Sequence, residues 1–180
     1  MASTRARISL RPTNPVTREP QVMASFLASL DSLTAGRAFM DIASGDSAVL
    51  NLGRQAASRA LIEDYVACVR SLLGRGEATF QKRPQRVRWV SRVVRHQIPI
   101  SICAEGPRML HLGGRIGDGV IAGTGLLPEV IKDTLARIHT GAREAGRQPS
   151  EVDIWFTTRT ALHENHQTAV NNVRPQCPRF

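Results

Sequence analysis

Apolar positions along the chain follow two alternating rhythms. One recurs every three or four residues, as a helix with one buried face requires, and the other is a short apolar or alternating run bounded by Gly, Pro, Ser or Asp, as a strand between turns requires. Residues 6–10 are the first run of strand type. Val22, Phe26, Leu30 and Leu33 then form a helical stripe, with Pro20 suited to its first turn and Gly36 to its exit. Residues 37–42 are short and apolar and run into Ser44-Gly45-Asp46, so they read as a buried strand feeding a loop. The next helix carries Leu61, Tyr65, Val69 and Leu72 on one stripe, with Ser58 as its N-cap and Gly74 as its stop.

Residues 74–89 mix Gly, Pro, Arg and Lys without a period and read as a surface excursion with room for a short hairpin. A strand is expected at 98–103. A helix follows with Pro107 in its first turn and Met109, Leu110, Leu112 and Ile116 in pattern. Residues 119–122 form a further short strand closed by Gly123-Thr124-Gly125. Pro128 opens a long helix, expected to turn Val130, Ile131, Leu135, Ile138 and Ala142 inward and to stop at Gly146. Residues 152–162 read as a strand setting Ile154, Phe156 and Thr158 against Trp155 and Thr157, and a last helix is expected near Glu164.

Strand then helix, repeated about five times, implies right-handed crossovers and a parallel sheet, either open and doubly wound or closed into a barrel. In both, ligands gather at the carboxyl ends of the strands. Four strand-to-helix loops are therefore candidates: 11–17, 44–53, 104–108 and 123–127. The third has the clearest physics. Ala104-Glu105-Gly106-Pro107-Arg108 puts Gly and Pro at a helix start, where free N–H groups and the helix dipole favour an anion and Arg108 adds a charge partner. The same residues also make an ordinary strand-to-helix turn. Ser44-Gly45-Asp46 has groups that hydrogen-bond a ligand, or simply turn the chain.

Composition narrows the class. With 42% hydrophobic and 22% charged residues the chain is globular, one domain over its 180 residues. No apolar run approaches the roughly 18 residues of a membrane span and no signal peptide is legible, so the expected location is the cytoplasm. Cys68, Cys103 and Cys177 are isolated, which argues for reduced thiols over disulfides or zinc, and the five histidines lack metal-ligand spacing. The net charge of +9 raises nucleic-acid binding, but the basic residues are scattered, with one concentration from Lys82 to Arg95. No G-x-S-x-G, P-loop or G-x-G-x-x-G is present.

The order of several short segments is more specific than any one of them. Thr13-Asn14-Pro15-Val16-Thr17-Arg18, Gly36-Arg37, Ser44-Gly45-Asp46-Ser47-Ala48, Leu52-Gly53, Ala104-Glu105-Gly106-Pro107-Arg108-Met109-Leu110 and Ile116-Gly117-Asp118-Gly119-Val120-Ile121 occur in sequence. Together they resemble the luciferase-like flavin- or deazaflavin-dependent oxidoreductases, over roughly residues 6–162, closest to the methylenetetrahydromethanopterin reductase branch. The resemblance implies an α/β fold, a partial (β/α)8 TIM barrel of about strands three to seven, cut short at both ends, with the tail from about 174 divergent. It implies FMN or the deazaflavin coenzyme F420 as cofactor and a small organic molecule as substrate. By the same resemblance Thr13 and Asn14 lie beside the cofactor ring, Ser44 and Asp46 near its middle, and Ala104, Glu105, Gly106, Pro107, Arg108 and Thr124 at its phosphate. No catalytic residue is assigned.

The chain also departs from the family pattern. Arg11-Pro12 stands where relatives have Gly-Val, often joined in cis, and an X-Pro bond adopts cis more cheaply than other bonds. Asp41 and Ala43 replace glycines, and a carboxylate entering a barrel interior needs a partner. Glu19 replaces a histidine. Three readings follow: hydride transfer or flavin-dependent monooxygenation, a catalytically inactive piece of barrel that associates through its open edges, or a basic module built on residues 82–95.

Overall fold

The computed structural model describes residues 5–89, 95 and 97–176, with Gln176 described in its backbone only. Among these residues seven strands and six α-helices follow one another as β1 Ile8–Thr13, α1 Pro20–Leu33, β2 Ala38–Ile42, α2 Ser47–Leu50, α3 Arg59–Arg75, β3 Glu77–Phe80, β4 Arg83–Arg86, β5 Ile100–Ala104, α4 Pro107–Ile116, β6 Gly119–Ala122, α5 Pro128–Glu144, β7 Asp153–Phe156 and α6 His166–Val173. Five strands make one sheet in the order β1-β2-β5-β6-β7, every neighbouring pair parallel. Each strand is laid on the same side of the one before it, so the order never reverses. With right-handed crossovers that winding keeps the helices on one face, which is how a barrel wall grows and how a doubly wound sheet does not.

Period-2 alternation divides the two faces of this wall. Met40, Ile42, Ile100 and Ile102 pack into a core with Met23, Leu27, Ile62, Tyr65, Val69 and Leu72. Val120, Ala122, Leu110, Ile138, Ala142 and Val152 form a second cluster, and Met109 packs against both. The intervening positions, among them Arg11, Asp41, Ser101 and Cys103, turn to the concave side. The wall is curved enough that Arg7, just before β1, lies 3.6 Å from Asp153 on β7, the far edge strand.

Several sequence expectations need correction. The stripe Val22, Phe26, Leu30 and Leu33 does not point inward: Val22, Phe26 and Leu33 are exposed, and α1 buries Met23, Ala24, Leu27 and Asp31. Both faces of α1 carry apolar residues, so periodicity alone selected the wrong one. The burial of Asp31 is made tolerable by Arg95, whose Nη2 lies 2.6 Å from its Oδ1 and also donates to the Ala38 carbonyl at 2.8 Å. Helix α3 ends at Gly76, in the left-handed conformation, two residues beyond Gly74. Ser58 does cap its start, accepting from the Leu61 N–H. The excursion at 74–89 contains the antiparallel hairpin β3–β4, turned by Gln81 and Lys82 at positive φ. Strand β7 stops at Phe156, well short of residue 162. All described peptide bonds are trans, Arg11–Pro12 included, and β1 accommodates its kink as a register shift between Leu10 and Thr13. Cys177 and residues 90–94, part of the basic segment, lie outside the described residues, as does residue 96.

Helices α4 and α5 touch backbone to backbone. A Cβ on Gly114 would sit 1.9 Å from the Ile138 carbonyl oxygen, and one on Gly141 would sit 2.0 Å from that of His111. Main-chain atoms cannot rotate aside, so each methyl would force the helices apart. Gly141→Ala is expected to destabilise the fold by about 2 to 3 kcal/mol, the cost of an overpacked core. Ala gains helix propensity over Gly at an unconstrained site, which makes Gly74 in α3, with nothing within 4 Å of its Cβ position, the control. Chemical denaturation of both alanine variants checks this, and equal midpoints would remove the contact from the account.

Candidate functional site

The carboxyl ends of β1, β2 and β5 and the loops that leave them surround a cavity of about 860 Å³. Thr13 and Asn14 come from the end of β1. Both are almost fully buried, and the Asn14 side chain is fixed by its own loop: its Oδ1 accepts from Val16 N at 3.1 Å, Thr17 N at 3.0 Å and Thr17 Oγ1 at 3.0 Å. With the carbonyl so occupied, the amide N–H groups are what Asn14 has to offer a ligand. Ser44 and Asp46 come from the loop after β2. Their loop approaches Asn14 through Gly45, at φ +101°, where a Cβ would meet Val49 Cγ2 at 2.4 Å. The Asp46 side chain makes no cap bond to α2, which leaves the carboxylate to the cavity rim.

Ala104, Glu105 and Gly106 close a third side. Gly106 is the N-cap of α4: Pro107 has no N–H and the Met109 N–H bonds the Gly106 carbonyl at 3.0 Å, so the Arg108 N–H is the first-turn amide left without a side-chain cap, and nothing lies within 4 Å of the Gly106 Cβ position. Seven of the residues singled out from sequence are thereby brought together: Thr13, Asn14, Ser44, Asp46, Ala104, Glu105 and Gly106. Pro107, Arg108 and Thr124 do not line this cavity. Pro107 and Arg108 point outward on the first turn of α4, and Thr124 is turned toward α5, its Oγ1 3.0 Å from Thr134 Oγ1. A second groove of about 780 Å³ lies between α3 and the β3–β4 hairpin, remote from the strand ends.

Arg11, which opens the candidate loop 11–17 without being named as a cofactor contact, and Cys103, which lies outside all four candidate loops, are both wall residues. The signal for Cys103 was its phase: Ser101 and Cys103 interrupt the apolar run of β5 at alternate positions, so they share the concave face. Beneath them lies Asp41, completely buried, with neither carboxylate oxygen in hydrogen-bond geometry with a described donor. Its partner is Arg11, whose Nε stands 3.6 Å from Oδ2. Two of the positions singled out in the sequence, Arg11 and Asp41, are therefore neighbours in space. Burial pushes the Asp41 pKa up, while Arg11, then Ser101, then Arg7 pull it back. Burial, the Asp41 charge and Glu105 push the Cys103 thiol up to about 12 against the opposing Arg11, so it is a neutral thiol rather than a nucleophile.

The class that fold and site define is part of the wall of a parallel α/β barrel, with its cavity at the carboxyl edge. Residues 3–180 match the family model described as luciferase-like monooxygenase, and the chain belongs to that family. It is 29% identical over 145 residues to the 5,10-methylenetetrahydromethanopterin reductase of Methanolobus tindarius, covering 79% of this chain and 44% of that protein. It is 28% identical to the F420-dependent glucose-6-phosphate dehydrogenase of Nakamurella multipartita, covering 92% and 50%. The structure of the coenzyme F420-dependent tetrahydromethanopterin reductase of Methanopyrus kandleri superposes with a TM-score of 0.72 at 25% identity, over 91% of this chain and 53% of that one. The chain spans about half the length of these relatives. Among the described residues no helix is long and apolar enough to cross a membrane.

The buried pair predicts opposite pH dependences. A carboxyl whose folded pKa is raised contributes stability below its ordinary value and loses that contribution as pH rises through the raised one. Asp41→Asn, with Arg7, Arg11, Ser101 and Cys103 as its surroundings, should therefore gain on the parent as pH rises from about 4 to about 7. Arg11→Ala strips the counterion from a buried charge and should lose about 2 kcal/mol near neutrality, less in acid. Thermal midpoints across that range decide the matter, and two pH-independent differences would contradict it.

Proposed function

We propose that this chain provides the cofactor-holding wall of an oxidoreductase that uses reduced F420 or FMN on a small organic substrate. The carrying observation is the cavity at the carboxyl edge, of a size that suits a cofactor-sized ligand, with the uncapped α4 start on one side and the Asn14 amide on the other. A free N–H at a helix start suits a phosphate, and Gly106 leaves room for one. Thr13, Asn14, Ser44 and Asp46 offer donors and acceptors for the polar edge of a ring system, and Met109 and Ile121 supply apolar wall. The bound cofactor supplies hydride transfer or, as a flavin, monooxygenation, while the protein orients it and limits water. Both relatives named above for sequence identity support the reading, the dehydrogenase by its F420 dependence and the reductase by being, in name, a reductase of a small organic molecule.

A second reading rests on the sheet edges. β1 and β7 each have one unpaired edge among the described strands, and Val22, Leu33 and Trp155 are exposed. A catalytically inactive barrel piece of this kind would self-associate through those edges.

Titration of the purified chain with FMN and with F420, followed by cofactor fluorescence, separates the two. Binding at tens of micromolar or tighter is expected for one of them, reduced about tenfold or more by Gly106→Trp, a change with open space to occupy. Failure of both cofactors to bind, with sedimentation showing self-association, would replace the first reading by the second.

A further inference from the structure

We propose that Arg11 forms a subsite for the carboxylate of a substrate with an apolar body, on the floor of the strand-end cavity. This rests on the reading of that cavity as the ligand chamber. Arg11 lines the cavity, and its only ionic partner among the described residues is Asp41, engaged through Nε. No hydrogen bond among the described residues occupies its two Nη groups, and the side chain is half exposed toward the cavity. Asp41 is fully buried, with the Ser101 hydroxyl and the Arg11 guanidinium as its polar surroundings, and an apolar residue would fill the same space in the sheet at less cost. What it does is tether a guanidinium by one edge and leave the opposite fork free.

The chemistry of the surroundings selects the ligand class. A planar fork matches a carboxylate in two parallel hydrogen bonds. Asp41 already offsets part of the Arg11 charge, and Asp46 and Glu105 stand on the same cavity walls, so a singly charged group is favoured over a dianion. Pro12, next to Arg11 in the chain, and Ala43 are also among the lining residues and offer apolar surface to a body behind the acid.

Benzoate and its neutral isostere benzamide are the probes, titrated against the full chain by calorimetry or by NMR line broadening. Benzoate is expected to bind in the millimolar range, with benzamide about tenfold weaker, the contribution of one charge-assisted pair. Arg11→Gln could leave Asp41 bare and fail to fold, so the decisive variant is Arg11→Gln combined with Asp41→Asn, which removes both charges together. In that variant the benzoate and benzamide affinities should converge while benzamide itself is unchanged. Equal affinities in the unaltered chain, binding of neither probe, or discrimination that survives in the double variant would each overturn the proposal. If benzoate discrimination holds and neither FMN nor F420 binds, the oxidoreductase reading fails and this one stands. Cofactor binding without discrimination fails this one alone.

Discussion

The contact on which the site depends is one where two helices have no side chains between them. Gly114 of α4 lies against the Ile138 carbonyl and Gly141 of α5 against that of His111, at distances that leave no room for a methyl group. Helices ordinarily stay 8 to 10 Å apart because side chains separate them. Here α4 is drawn against α5, which fixes its axis, and its axis fixes where Gly106 and the Arg108 N–H open. Leu110 and Leu112 on the same helix lock it to the sheet from the other side. The cavity wall is therefore set by packing further along α4, at His111 and Gly114.

The floor of the cavity obeys a different logic. A buried carboxylate is costly, and Asp41 is on the second of the five strands, opposite Ser101 on β5. Nothing in the helical core needs it, since Met40 and Ile42 on either side supply the apolar packing. Arg11 reaches it from the neighbouring strand, and the long guanidinium stem lets one charge be shared between a dry anchor and a wet surface. Electrostatics and hydrophobic packing thus divide β2 between its two faces, residue by residue.

That division explains what was readable in the sequence. Strands 98–103 and 119–122 and the helix after Pro107 were found because their apolar residues have one possible phase, and their loops followed. α1 was assigned the wrong face because Val22, Phe26 and Leu33 compete with Met23, Ala24 and Leu27, and the true face contains Asp31. A buried Asp looks polar until Arg95 is known to reach it from 64 residues away, and no local pattern carries that pairing. The cavity residues at the ends of β1, β2 and β5 were legible from loop chemistry. Thr124 was not, because its partner Thr134 lies on α5 and draws it away. Strand β7 was drawn too long because Thr157 and Thr158 continue a β-like composition after the ladder has ended, the last bond being from Thr157 N to the Ala122 carbonyl at 2.9 Å.

The arginine-rich composition, which first suggested an anionic polymer as partner, has a structural explanation for several of its members. Arg37 Nε donates to the Thr34 carbonyl at 2.8 Å, Arg54 Nη1 to Val16 at 3.1 Å and Arg95 Nη2 to Ala38 at 2.8 Å. Arg147 Nη1 reaches both Gly114 and Gly117, at 3.1 and 2.7 Å, and so satisfies carbonyls at the end of α4. A guanidinium has five donors in a fixed plane and serves two or more carbonyls at once, whereas a lysine ammonium is a strongly hydrated point charge. Four of the basic residues are thus committed to backbone carbonyls at the ends of strands and helices, where the chain turns and main-chain groups lack partners. The excess charge is then in part a by-product of bracing loops with side chains, and the same solution recurs at Arg11, where the braced group is a carboxylate and the free donors face a cavity.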